Sequence, residues 1–275
     1  MVGHVEWVQF ARVHHVPRAG EVVNARDPFE EPAGGGAVAA VQLARLAGEA
    51  VLVTALGEDE HGRRSRLRLR QLGVDVRTSW SGQPTRRAMT LVDDARERTI
   101  TTIGDRLEPH GEDREAGWEA LTGLDALYFT AGDLDALRTA RKASRVLVAS
   151  PRALHALGHG VELDALVLSA RDESERHRAL RSRGEAALVV LTDGAHGGSY
   201  RLRSGETGSW AAAAPPGDPV DSYGCGDSFA SGLTYGLGAG LSVPESLALG
   251  ARCGAACLTG AGPYERQLTA RDLKG

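Results

Sequence analysis

Lysine is almost missing from this chain: Lys142 and Lys274 are the only two among its 32 basic residues. No Gly-x4-Gly-Lys-Ser/Thr run occurs, which argues against a P-loop nucleotide site. Cysteine is scarce as well. Cys225, Cys253 and Cys257 cannot pair completely and lack a metal-ligand pattern; Cys253 and Cys257, one helical turn apart in an Ala-rich run, read as small buried thiols. No apolar run is long enough to span a bilayer as a helix, and Met1 to Glu6 has no basic segment leading into an apolar one, so the expectation is a cytoplasmic protein without membrane contact. A net charge of -4 argues against a general polyanion binder. Arg63, Arg64, Arg66, Arg68 and Arg70 form a basic run without interleaved aromatics, which reads as a solvated helix face with Leu69 and Leu72 turned inward, not as a nucleic-acid site. The histidines offer no pair at ligand spacing with a third donor.

What is present centres on Asp221-Ser222-Tyr223-Gly224-Cys225-Gly226-Asp227-Ser228-Phe229-Ala230-Ser231-Gly232. The small and apolar run Phe229 to Leu237 predicts a buried helix, so the glycines fall where the first helical N–H groups lack carbonyl partners. Such a turn binds anions. Backbone N–H groups of Gly224, Cys225 and Gly226 can face the charge of a transferring phosphoryl group, and Asp227 can take a proton from an alcohol. A plainer reading, a tight turn with an Asp cap, fits the spacing equally well. Cys225 at a helix N-terminus is also expected to have a lowered pKa, so that its oxidation or alkylation would block the anion hole.

This stretch resembles the C-terminal signature of the ribokinase-like (PfkB) carbohydrate kinases, Asp-Thr-x-Gly-Ala-Gly-Asp-x-Phe-x-x-Gly. Asp221, Gly224, Gly226, Asp227, Phe229 and Gly232 match, with Ser222 for Thr and Cys225 for Ala. The resemblance implies a single domain over 1–275, with a mainly parallel central sheet flanked by helices on both faces. It also implies a small β-sheet lid from segments about 12–32 and 77–104, within which Ala88 to Asp94 and Glu97 to Ile100 read as a hairpin. The implied activity is ATP-dependent phosphorylation of a small-molecule hydroxyl, with Asp227 as general base. A nucleoside kinase on the same fold and a non-catalytic ligand-binding relative are the alternatives.

Ala33-Gly34-Gly35-Gly36-Ala37, opening a helix over Val38 to Ala47, satisfies a dinucleotide fingerprint formally, but Asp27 to Pro32 separates it from the first strand, expected over Val2 to Ala11. It resembles instead the family's N-terminal Gly-Gly signature, in which bare backbone at Gly34, Gly35 and Gly36 approaches sugar hydroxyls. The family's Asn in that helix is replaced by Val38, and the Asp of its first strand by Val8, leaving Glu6 as the nearby acceptor.

From Leu124 onward, apolar runs at Ala126 to Thr130, Arg145 to Ala149, Ala165 to Ser169 and Ala187 to Thr192 alternate with helical segments, which argues for a parallel sheet with ligands beyond its carboxyl ends. Ala131 to Asp133, Ser169 to Glu173 and Asp193-Gly194 fall there. By resemblance, Thr192, Gly194, Gly197 and Gly262 lie along ATP, and Ser169 to Asp172 stands where an Asn-x-x-Glu motif organises Mg2+. Asp172 is either a water-mediated magnesium ligand or a helix N-terminal acid. Asp221 is the residue beside which relatives place a monovalent cation, so K+ activation is allowed, as is a homodimer through the lid.

Overall fold

The computed structural model describes residues 1–153, 155–182 and 184–273; residues 154, 183, 274 and 275 of the expected single domain lie outside the described residues. The strand expected over Val2 to Ala11 is divided between two sheets. Val2 bridges Phe129 on one side and Val53 on the other, tying together the two parts of the main sheet. Beyond Gly3 the chain turns away, and β1 (Glu6–Arg12) pairs antiparallel with β2 (Arg26–Ala33) and parallel with β5 (Arg87–Val92). With β6 (Arg98–Ile103) on the outside of β5, these strands make a four-stranded sheet in the order β2-β1-β5-β6. Residues 77–81 of the second expected lid segment belong instead to β4 (Val74–Ser81), which runs parallel to β3 (Ala50–Gly57) in the main sheet.

The four apolar runs after Leu124 become β7 (Leu124–Phe129), β8 (Ser144–Ala149), β9 (Leu163–Ser169) and β10 (Ala186–Thr192), all parallel neighbours. The antiparallel strands β11 (Gly198–Leu202) and β12 (Thr207–Trp210) extend the edge. Successive residues of a strand face opposite sides, and here both sides are covered. Val146, Val148, Ala165 and Val167 pack with Val38 and Val41 of α1 (Gly35–Ala47) and Phe229 and Leu233 of α5 (Cys225–Gly238). Leu147, Ala149, Leu166 and Leu168 pack on the other side with Ala136, Leu137 and Ala140 of α3 (Leu134–Ala143). The arginine-rich segment forms α2 (Glu60–Gln71), in which Leu69 is buried and Arg63, Arg64 and Arg70 are exposed.

α5 lies against α6 (Val243–Cys257) at close range because Gly232 has no side chain: a Cβ there would meet Gly250 Cα at 2.9 Å and Cys253 Sγ at 2.8 Å. Cys253 and Cys257 are buried thiols, as their spacing suggests. Val8 and Val38 are both fully buried in the core. Among the described residues, no helix is long and apolar enough to cross a membrane.

Candidate active site

The start of α5 carries the C-terminal signature. Its cap, Gly224, adopts φ 80°, a left-handed conformation that glycine takes without a Cβ penalty, and the next residues enter the helix. Asp227 sits in the first turn. Its carboxylate lies against the start of α1: a Cβ on Gly35 would be 3.2 Å from Asp227 Oδ1 and 3.4 Å from Arg152 Nη1. Two signatures some 190 residues apart in sequence thus meet at one point, and Gly34 N donates to Tyr223 Oη at 3.3 Å across the same junction. Gly36 packs on the other side of the turn, where its N–H donates to His4 O at 3.0 Å and a Cβ would stand 2.6 Å from that oxygen. A Cβ on Gly226 would meet nothing within 4 Å, so the helix start faces open space.

Arg152 organises the carboxylates. Its Nη1 donates to Asp227 Oδ1 at 3.1 Å and its Nε to Glu175 Oε1 at 2.9 Å, while Glu175 Oε2 accepts from Ser169 N at 2.9 Å. The Asp227 carboxylate, working against burial, raises the Arg152 pKa and keeps the guanidinium charged. Asp227 and Glu175 are mostly buried, whereas the Arg152 side chain is 38% exposed.

Neither Arg152 nor Glu175 is among the residues that sequence reasoning selects. The signal for Arg152 is present nonetheless: Ser150-Pro151-Arg152 follows β8 at its carboxyl end, where ligands of such sheets bind. Asp133, at the equivalent place after β7, is a helix cap that accepts from Ala136 N at 2.8 Å and Gly111 N at 2.9 Å. Asp172 likewise caps the start of α4 (Glu173–Ser182), accepting from Glu175 N at 3.0 Å and Ser174 Oγ at 2.7 Å. The carboxylate that reaches inward from this segment is Glu175.

The nucleotide-side residues form a second group. Ser169 and Thr192 are paired in register at the carboxyl ends of β9 and β10. Gly194 begins the turn that Gly197 closes, with Gly197 O accepting from Asp193 N at 2.8 Å, and Arg171 Nε spans from the neighbouring loop to Asp193 Oδ1 at 2.8 Å. Gly262 N donates to Asp221 Oδ2 at 3.0 Å, and Tyr223 N donates to Asp221 Oδ1 at 2.8 Å, so buried Asp221 ties the C-terminal loop to the signature.

Cys225 departs from expectation. Its thiol is pushed well above the ordinary range, first by a hydrogen bond with Cys257 and then by burial, and these outweigh the helix N-terminus. Glu6 is buried beside Arg86, whose Nε stands 3.6 Å from Glu6 Oε2. Burial raises the Glu6 carboxyl above its usual value despite the opposing charge of Arg86.

Residues 1–270 match the family described as pfkB family carbohydrate kinase. The chain belongs to that family. Across 246 residues it is 28% identical to the ATP-dependent ribose-1-phosphate kinase of Halopiger xanaduensis, covering 84% of this chain and 81% of that one. It is 46% identical to the Acarbose 7(IV)-phosphotransferase of an Actinoplanes species over 101 residues, a match that spans 35% of this chain and about a third (33%) of that relative's length. The structure of a microbiome-derived acarbose kinase superimposes with a TM-score of 0.79 at 22% identity, covering 99% of this chain and 96% of that one. The fold is therefore ribokinase-like, and as a PfkB kinase the protein is a phosphotransferase acting on a carbohydrate.

Proposed function

We propose that the protein transfers the γ-phosphoryl group of ATP to a hydroxyl of a sugar or sugar-like acceptor, with Asp227 as the general base. One observation carries this reading: the Asp227 carboxylate lies at the start of α5, against Gly35 and 3.1 Å from Arg152, at the meeting point of the two glycine signatures. An acceptor hydroxyl resting on the bare backbone of Gly34 and Gly35 is then within reach of a group that can take its proton. The N–H groups of Gly224, Cys225 and Gly226 lie at the same helix start and face the phosphoryl charge as it develops. ATP lies beside Ser169, Thr192, Gly194, Gly197 and Gly262, on the carboxyl side of β9 and β10, with its phosphates toward α5.

Among the described residues, no cluster of three or more His, Cys, Asp or Glu side chains could hold a metal ion. A hydrated Mg2+ carried on the ATP phosphates needs only one or two carboxylates reached through water. Glu175, and Asp172 while it caps α4, are the carboxylates assigned that role. When bound, the ion supplies charge neutralisation on the phosphates. Asp221, which braces the Gly262 loop, is the residue expected beside a monovalent cation, and turnover in K+ compared with a bulky organic cation tests it. A homodimer through the four-stranded sheet is proposed on the exposed Met89, Ile100 and Ile103 of β5 and β6, and its test is the mass in solution.

The two curated relatives act on different acceptors by name, acarbose and ribose 1-phosphate. The decisive experiment is ADP production with magnesium against a panel of sugars, sugar phosphates and nucleosides, with Asp227→Asn in parallel. Loss of the base lowers turnover by roughly two to four orders of magnitude. Near-normal turnover in that variant removes Asp227 from the mechanism.

A further inference from the structure

On the acceptor side of the site, His4 Nδ1 and Arg86 Nε are buried without hydrogen-bond partners, close to several arginines. The His4 ring lies under the glycine signature: its Cδ2 and Nε2 are each 3.1 Å from where a Gly34 Cβ would stand, and its Cε1 is 3.6 Å from the corresponding point on Gly35. His4 is 7% exposed and its Nδ1 is buried without a hydrogen-bond partner. Glu6 is 6% exposed and faces Arg86 at 3.6 Å, beyond hydrogen-bonding distance, and Arg86 Nε is likewise buried with no partner.

Three guanidinium groups, on Arg86, Arg106 and Arg152, act electrostatically on both His4 and Glu6. Two of them are committed. Arg152 bridges Asp227 and Glu175, and Arg106 pairs with Glu108 and donates to Arg152 O at 2.9 Å. Arg86 has an unused buried donor. Its backbone is fixed, since Arg86 O accepts from Trp7 N at 2.9 Å, which sets the side chain beside Glu6 of the same strand pair.

A buried N–H that stays unpaired is costly, and a ligand oxygen that takes it removes the cost. Guanidinium favours planar, bidentate anions, phosphate and carboxylate above all. Glu6 is the carboxyl that faces Arg86, and burial, helped by the charge of Asp227, raises it above its usual range against the pull of the arginines, which weakens its hold on Arg86. Burial, reinforced by the three arginines, also keeps His4 neutral, able to hydrogen-bond to a hydroxyl.

Building on the sugar-kinase reading, we infer that the acceptor is an anionic sugar, its phosphate monoester or carboxylate held by Arg86 next to Glu6 and His4, with its free hydroxyl at Asp227.

The test compares pentose and hexose monophosphates, the matching sugar acids and the neutral parent sugars as acceptors, in the wild type, Arg86→Gln and Arg86→Lys. Calorimetric titration of the same compounds without ATP gives a readout independent of turnover. In the wild type, one anionic class has a kcat/KM at least about 10-fold above its neutral parents, the worth of one charge-assisted contact. Arg86→Gln raises KM and Kd for that class by about 10- to 100-fold with a smaller change in kcat, and Arg86→Lys recovers part of the loss. Which anionic class responds separates phosphate from carboxylate.

Equal use of neutral and anionic sugars overturns the inference, as does an Arg86→Gln effect that is the same for both. A rise confined to the KM for ATP would move Arg86 to the nucleotide side and overturn it equally. Turnover of neutral sugars alone would sink this inference and leave the kinase reading standing. ATP binding with no ADP from any acceptor would sink both.

Discussion

Replacing Arg152 with methionine removes a guanidinium that holds two carboxylates, at 3.1 Å to Asp227 and 2.9 Å to Glu175. Breaking a fully buried pair costs about 3–5 kcal/mol. Arg152 is 38% exposed, however, so water replaces part of what is lost. The expected destabilisation is about 1–2 kcal/mol, which lowers Tm by roughly 3–6 °C in a chain of this size. Activity falls further than stability, because Asp227 then lacks the contact that sets its position, and a misplacement of about 1 Å costs on the order of 100-fold in kcat. Steady-state ADP production measures this, with circular dichroism melting as the folding control. The discriminating step is the double variant. If Arg152 acts by placing the base, Arg152→Met reduces kcat about 100-fold in the wild type but by less than about 3-fold once Asp227 is already Asn. The same loss in both backgrounds would mean that Arg152 works independently of Asp227, and the positioning argument would fail.

Two further outcomes follow from local geometry. Gly35→Ala and Gly36→Ala are neighbours with opposite expectations. The Gly36 methyl meets the His4 carbonyl oxygen at 2.6 Å and Gly3 backbone at 2.7 Å, so that variant loses about 1–3 kcal/mol in thermal melting. The three atoms nearest the Gly35 methyl belong to the side chains of Asp227, Arg152 and His4, so that variant keeps its Tm within about 2 °C and loses turnover. Asp59 caps α2 through Gly62 N at 2.7 Å and also accepts from Thr85 N and Oγ1 at 2.7 and 2.8 Å. Burial opposes ionisation of this carboxyl, but the three hydrogen bonds together outweigh it and lower its pKa below the ordinary 3.8. Its stabilising effect is therefore complete above that value and is lost as pH falls through the folded pKa. Asp59→Ala should cost about 1–2 kcal/mol near neutrality. Melting curves of the two proteins should converge in acid below that window, and a constant difference down to about pH 2 would contradict the assignment.

Much of the frame is written locally. The apolar runs from Ala126 to Thr192 become β7 to β10 with boundaries moved by at most two residues, because a strand buried on both sides needs only a short run of apolar neighbours. The helix expected from Phe229 begins earlier, at Cys225, and the one expected from Val38 begins at Gly35, since glycine and polar residues at a helix start carry no periodic signal. Chemistry is legible where a motif is contiguous, as in Gly224 to Asp227. The first strand shows the limit. Its alternation says nothing about the place where the chain leaves one sheet for another, and only pairing of Val2 with Phe129 and Val53, and of β1 with β5, decides that Glu6 faces Arg86.

The sequence by itself determined the family's phosphoryl-transfer signature, the parallel sheet and the glycines that carry the backbone turns, because each depends on residues adjacent in the chain. Tertiary structure alone decided that Arg152 joins Glu175, 23 residues away, to Asp227, 75 residues away, and that Asp172 is a cap while Glu175 turns inward. Those assignments depend on which side chains converge beyond the strand ends, and convergence across the sheet leaves no periodic trace in the chain.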